Sequence, residues 1–133
     1  MDEKGSWSYV QNAIENDKDA RVRLEGLHAI STAEERWQDL VLGRLADEDW
    51  GVVLMAVKII KERELLRAVP HLINALGRAT PRVTVALGEA LHALTGQNFE
   101  PYADVWAKWW DEHKDEFRSS VAVKKSKREE FEF

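Results

Sequence analysis

NDKDARVRLEGLHAI, residues 16–30, lies over ADEDWGVVLMAVKII, residues 46–60, at an offset of 30. The overlay matches Asp17 with Asp47, Asp19 with Asp49, Val22 with Val52, Leu24 with Leu54 and Ile30 with Ile60. ALGEALHAL, residues 86–94, continues the series at an offset of 34, keeping the apolar phase but not the aspartates. In each copy apolar residues recur at i, i+4 and i+8, which is the pattern of a helix with one buried stripe. One position is small in all three copies, Gly26, Ala56 and Ala90, as expected where neighbouring helices approach closely.

A second series lies between these helices. Val10 and Ile14, Val41 and Leu45, Leu72 and Leu76, then Trp106 and Trp110 recur at offsets of 31, 31 and 34. The chain thus alternates two helix types and predicts seven helices, an all-α fold with three and a half repeats and almost no strand signal. Boundary residues agree. Thr32 with Glu35 reads as a capping box, Thr80 can cap a helix opened by Pro81, and Gly77 and Gly96 sit where helix-ending glycines belong. No helix of this length buries its stripe alone, so stacked pairs must share one continuous core. The repeat unit spans residues 1–117. The remainder, RSSVAVKKSKREEFEF at 118–133, lacks an amphipathic period and is expected to be a disordered charged tail. Phe131 and Phe133 could form a short docking element there, although simple solvation of the segment is the favoured reading.

An Asp-rich turn, then Val, a small residue and a closing aliphatic, followed by a helix ending like VPHLINAL at 69–76, resembles HEAT repeats of the short bacterial kind found in phycobilisome-lyase-like proteins. The resemblance covers about residues 6–117 and implies an α-α superhelix. LTGQNFEPYADVWAKWW at 94–110 is similar to the closing segment of some bacterial HEAT proteins, in which a loop leads to a Trp-rich last helix. Such families place an Arg after the Val. Arg23 obeys, whereas Val53 and Leu87 depart, which weighs against an Asp–Arg ladder between repeats. The architecture serves scaffolds, inhibitors, lyases and nucleic-acid enzymes alike, so the resemblance speaks to fold more than to function.

Composition excludes several classes. The chain has no cysteine, so no disulfide, thiolate metal site or Cys nucleophile is available, which fits a reducing compartment. No run approaches the roughly 18 apolar residues of a membrane span, and the opening MDEKGSWSYV is acidic, so a cytoplasmic protein is expected. Lys and Arg number 19 against 24 Asp and Glu, a net charge of -5; the tail contributes five bases and three acids, leaving -7 on residues 1–117. An acidic body disfavours duplex DNA as the main ligand.

Catalytic motifs are missing: there is no G-x-x-x-x-G-K-[ST], G-x-S-x-G or H-E-x-x-H. Asp17, Asp19, Asp47, Glu48 and Asp49 fall in repeat turns, where carboxylates cap helices and meet the positive end of the dipole. His28 and His92 recur where the middle copy has Lys58, a solvated place. His71 lies on the outer side of its helix, and His113 is expected to donate a hydrogen bond beside the tryptophans. No catalytic residue, cofactor or metal site is therefore expected.

The tryptophans divide by register. At 100° per residue Tyr102, Trp106, Trp109, Trp110, His113 and Phe117 fall within an arc of roughly 100°, one core-facing stripe, so the last helix reads as a lid on the terminal repeat. Trp7, Val10 and Ile14 do the same at the other end, and Trp37 reads as packing. Trp50 follows the N-cap Asp49 at a site held by Ala20 and Thr84 in the other copies. It is either a staple against its own helix or an exposed anchor for a partner.

The favoured function is a non-enzymatic scaffold or adaptor binding a protein or peptide. In solenoids of this type the second helix series lines the concave side, and its outward positions here include Arg36, Asp39, Arg67, His71, Asn74 and Lys108. That strip, locally basic on an acidic body, suits an acidic helix or extended peptide bound by a monomer. The alternatives are a bilin-lyase-like subunit or a HEAT-like DNA glycosylase, the latter needing Trp106, Trp109 and Asp104 at a base.

Overall fold

In the computed structural model the backbone is described for residues 3–30 and 36–131, and the side chains for residues 8–30 and 37–117. Seven helices form among the described residues: α1 (Glu3–Asn16), α2 (Ala20–Ala29), α3 (Arg36–Gly43), α4 (Trp50–Glu62), α5 (Val69–Leu76), α6 (Pro81–Thr95) and α7 (Ala103–Phe131). Single 3-10 turns, Arg44–Ala46 and Leu66–Ala68, lengthen α3 and introduce α5. Among the described residues there is no strand, and no helix is long and apolar enough to cross a membrane.

The repeated aspartates build the same turn twice. Asp17 Oδ1 accepts the Asp19 N–H at 2.9 Å, and Asp19 Oδ1 accepts the Arg21 N–H at 2.9 Å to cap α2. Thirty residues on, Asp47 Oδ1 accepts the Asp49 N–H at 2.9 Å, and Asp49 Oδ1 caps α4 through Gly51 at 2.8 Å and Val52 at 3.2 Å. An aspartate two residues ahead of a capping aspartate turns the chain and opens the helix in one step.

The other boundaries vary. Thr80 holds the extended N-cap backbone before Pro81, but its side chain makes no cap bond; its carbonyl instead accepts the Thr84 hydroxyl at 3.0 Å. Gly96 ends α6 in the left-handed conformation, φ 77°, with its N–H on the His92 carbonyl at 2.8 Å. Gly77 ends α5 with right-handed backbone, so it is not a left-handed cap; a Cβ there would lie 3.6 Å from the Ala103 Cβ, at the approach of α7. The expected Thr32–Glu35 capping box lies outside the described residues.

Two rows of helices result. α2 packs on α4 and α4 on α6; α1 packs on α3 and α5 on α7; the pairs α1–α2, α3–α4 and α5–α6 join the rows. The burial of the second repeat series follows its register. Val41 and Leu72 are fully buried and Leu45 and Leu76 nearly so, whereas the terminal pairs each keep one half-buried member, Val10 and Trp110, beside a fully buried one, Ile14 and Trp106. At the small position Ala56 and Ala90 are fully buried, and a Cβ on Gly26 would lie 2.6 Å from Ile14 Cγ1. Trp37 is buried as packing, at 5% exposure.

The last helix corrects the stripe at one end. Trp106 is fully buried with Phe99 edge-on at 4.9 Å and a half-buried Trp109 at 6.1 Å; Trp110 and Phe117, also half-buried, pack on Trp109. Tyr102, placed on the same arc by its spacing, is 62% exposed because it precedes the first helical residue, Ala103, where the 100° phase does not yet apply. The α7 backbone continues through the segment where the sequence expects a disordered tail; the side chains from Arg118 onward lie outside the described residues.

Candidate functional site: a cleft between two repeat turns

The first repeat junction is closed by an arginine. Arg23, on α2, donates from Nε and Nη2 to Asp47 Oδ2 and Oδ1, each at 2.9 Å, and from Nη1 to the Asp17 carbonyl at 2.6 Å. Arg44 adds a second guanidinium to Asp47 at 3.2 Å. The side chains of Arg23 and Asp47 are only 7% and 2% exposed. Burial alone would push the Asp47 carboxyl up; the hydrogen bonds from Arg23 and the Asp49 N–H, with the charges of Arg23 and Arg44, outweigh it and hold the group below the usual carboxylate value. The Asp47 hydrogen bond in turn raises Arg23. One rung of an Asp–Arg ladder therefore exists, at the single place where the sequence keeps the arginine.

The second junction is open. Val53 stands where Arg23 stands one repeat earlier, and the next turn, Arg78 to Pro81, carries no carboxylate. Between the turn before α4 and the turn before α6 lies a cleft of about 190 Å³. Val53, Ala75, Val83 and Leu87 line it with apolar atoms, Trp50 stands at its edge, and Asp47, Glu48 and Arg78 bring charge to it. Trp50 opens α4, is 48% exposed and has the Arg82 guanidinium carbon 4.8 Å above its ring. Its aromatic face is thus covered from the neighbouring helix α6 by a cation–π contact.

The expected strip on the second helix series is only partly brought together. Arg67 donates from Nη1 to Gln38 Oε1 and from Nη2 to Asp39 Oδ1, both at 2.9 Å, so Asp39 and Arg67 neutralise each other while tying the 3-10 turn before α5 to α3. His71, Asn74 and Lys108 are exposed, and the Arg36 side chain lies outside the described residues. His71 and Asn74 share the exposed side of α5 at i and i+3, and Arg78, in the turn after α5, lines the cleft.

Sequence reasoning singled out Trp50 but missed Arg78 and Arg82. The usable signal was the departure at Val53, since a residue that fills a junction in one repeat leaves space when a shorter one replaces it. The histidines are peripheral: His28 and His92 are exposed, and His113 Nδ1–H donates to the Trp109 carbonyl at 2.8 Å while its ring stacks on Trp109 at 4.7 Å. Among the described residues no three His, Asp or Glu side chains gather as a metal site requires.

Comparison of the chain with protein-family models, with curated proteins and with solved structures finds no match.

Proposed function

We propose that the chain is a HEAT-like α-superhelix of three and a half repeats and acts as a non-enzymatic interaction module for a protein or peptide. Support for the architecture comes from the twice-built aspartate turn, from Arg23 reaching the turn of the next repeat, and from the two rows of alternating helices. The observation that carries the function is Trp50: an indole left 48% exposed at the edge of an apolar cleft, in a position where the repeat needs no aromatic. Large aromatics held half-open beside a pocket are what interface anchors look like before the partner arrives. His71, Asn74 and Lys108, with the Arg67–Asp39 pair, extend the polar rim along the second helix series, where charge would set orientation and on-rate. An enzyme-subunit reading is less well supported. A glycosylase would need Trp106 beside a base, and Trp106 has no exposed surface. We place the module in the cytoplasm, as a monomer until its partner binds.

The test is retention on immobilised protein, comparing the parent with Trp50→Ala and with Arg67→Glu. A protein held by the parent and released by Trp50→Ala, with only a small shift of the denaturation midpoint, is the expected result. Binding of duplex DNA with a steep salt dependence would favour the glycosylase instead, and a shift in the absorption of added bilin the lyase.

A further inference from the structure

Trp50 is held at its backbone and at its ring by different elements. At the backbone, Asp49 Oδ1 accepts the N–H groups of Gly51 and Val52, and Asp47 Oδ1 accepts the N–H of Asp49, so the chain enters α4 through a turn bonded on both sides of the indole. Asp47 is itself gripped by Arg23 from α2 and by Arg44. The segment that carries the indole is thereby tied to the preceding repeat. A side chain 48% exposed still has rotamers to choose from, and the cap does not choose among them.

The ring is met from the following repeat. The Arg82 guanidinium carbon lies 4.8 Å from the ring centre. Arg82 stands in the first turn of α6, directly after Pro81, and that turn holds no acidic residue. A cation there faces the positive end of the helix dipole, an unfavourable place. Arg82 is exposed and has no salt bridge among the described residues to offset this. The contact that does offset it is the indole, whose face is electronegative.

We infer that Arg82 is a positioning residue for the Trp50 anchor: its guanidinium selects the rotamer in which the indole stands half-open at the edge of the cleft, so that binding need not order that side chain. The inference rests on the interaction-module reading and adds how the anchor is held before a partner arrives. Two repeats share the task, the earlier through Asp47 at the backbone and the later through Arg82 at the ring. Arg82 needs no contact with the partner to do this.

Fluorine NMR of the full chain labelled with 5-fluorotryptophan tests the positioning without a partner. The chain has six tryptophans, so Trp50→Phe assigns the Trp50 resonance. In Arg82→Gln, which removes the charge, that resonance should move and respond more strongly to exchange of water for heavy water, while the others hold their positions. Arg82→Lys, which keeps the cation, should stay nearer the parent. A Trp50 resonance unmoved by Arg82→Gln, or moved as far by Arg82→Lys, overturns the inference. Retention on immobilised protein gives the second reading. A protein held by the parent should be held about threefold to tenfold more weakly by Arg82→Gln, the scale of ordering one large side chain, and Arg82→Gln should change nothing further in a Trp50→Ala background. Additive losses in the double variant would make Arg82 a contact of its own and overturn the positioning role. If the parent's protein is released by Trp50→Ala but not by Arg82→Gln, the anchor stands and the positioning falls; if the parent retains nothing, the module reading falls and the inference with it.

Discussion

Trp106 and Trp50 are one residue type under opposite constraints. Trp106 is fully buried, with Phe99 edge-on at 4.9 Å and Trp109 at 6.1 Å, and its Nε1 has no hydrogen-bond partner among the described residues, so its contribution is chiefly packing. Trp106→Ala should lower stability by roughly 3 to 5 kcal/mol through lost burial and a cavity, a shift that chemical denaturation resolves. Trp110 is half-buried and should cost about half as much. Trp50→Ala should move the midpoint by no more than about 0.5 to 1 kcal/mol, the worth of an exposed cation–π contact with Arg82. The register of Trp106 with Leu72 made its burial legible in the sequence. The same arc put Tyr102 inside, and it failed because periodicity says nothing about the residue before the helix starts. The surroundings of Trp50 were not legible at all, since Arg82 comes from another helix and a pattern along one helix does not report what faces it.

Helices α1 and α2 meet through Gly26, and this contact separates two glycines of identical helix propensity. A Cβ at Gly26 would sit 2.6 Å from Ile14 Cγ1, the branched part of a side chain with no exposed surface, whereas a Cβ at Gly88 in the interior of α6 meets nothing within 4 Å. Alanine gains about 0.5 to 1 kcal/mol over glycine inside a helix. Gly88→Ala should therefore stabilise by that amount. Gly26→Ala should destabilise by about 1 kcal/mol net, because overpacking of roughly 1 to 3 kcal/mol outweighs the same gain. Parallel melting curves check both, and equal shifts of one sign would refute the contact. The end of α4 offers the reverse change. Glu64 is left-handed at φ 51°, with its N–H on the Lys61 carbonyl and the Leu65 N–H on the Ile60 carbonyl, the paired bonds of a Schellman ending. Glu64→Gly should stabilise by about 1 kcal/mol by relieving the left-handed Cβ. Element starts built on Asp19 and Asp49 were readable because a capping carboxylate acts within three residues. This ending was not, because Glu64 carries no residue-type signal for positive φ; packing of the following Leu65 into the core imposes it.

Across the whole molecule the repeat was legible from its offset, whereas the departures at Val53 and Leu87 weighed against an Asp–Arg ladder, and the one rung that Arg23 makes emerged only in the structure. The open second junction likewise emerged only there, where Val53 and Trp50 share a cleft. The rung also fixes how the molecule answers to acid. The Asp47 carboxyl is held below its unfolded value of about 3.9 in the folded state, so it adds stability that is fully present above about pH 4 and is lost as pH falls through the folded value. Asp19 is shifted the same way, chiefly by the Arg21 N–H, but its side chain is 46% exposed and its share is small. Asp47→Asn keeps an oxygen for the Asp49 N–H while leaving the Arg23 guanidinium buried beside a neutral group. At pH 7 it should cost roughly 3 to 5 kcal/mol, the scale for breaking one side of a buried pair. Below pH 4 the parent should lose stability more steeply than the variant, and the two curves of denaturation midpoint against pH should converge. Added salt should leave the gap at pH 7 nearly intact, because a pair 7% and 2% exposed is poorly screened. Curves that stay parallel from pH 7 to pH 3 would mean that Asp47 holds the junction by its turn hydrogen bond alone, and that its charge does not join one repeat to the next.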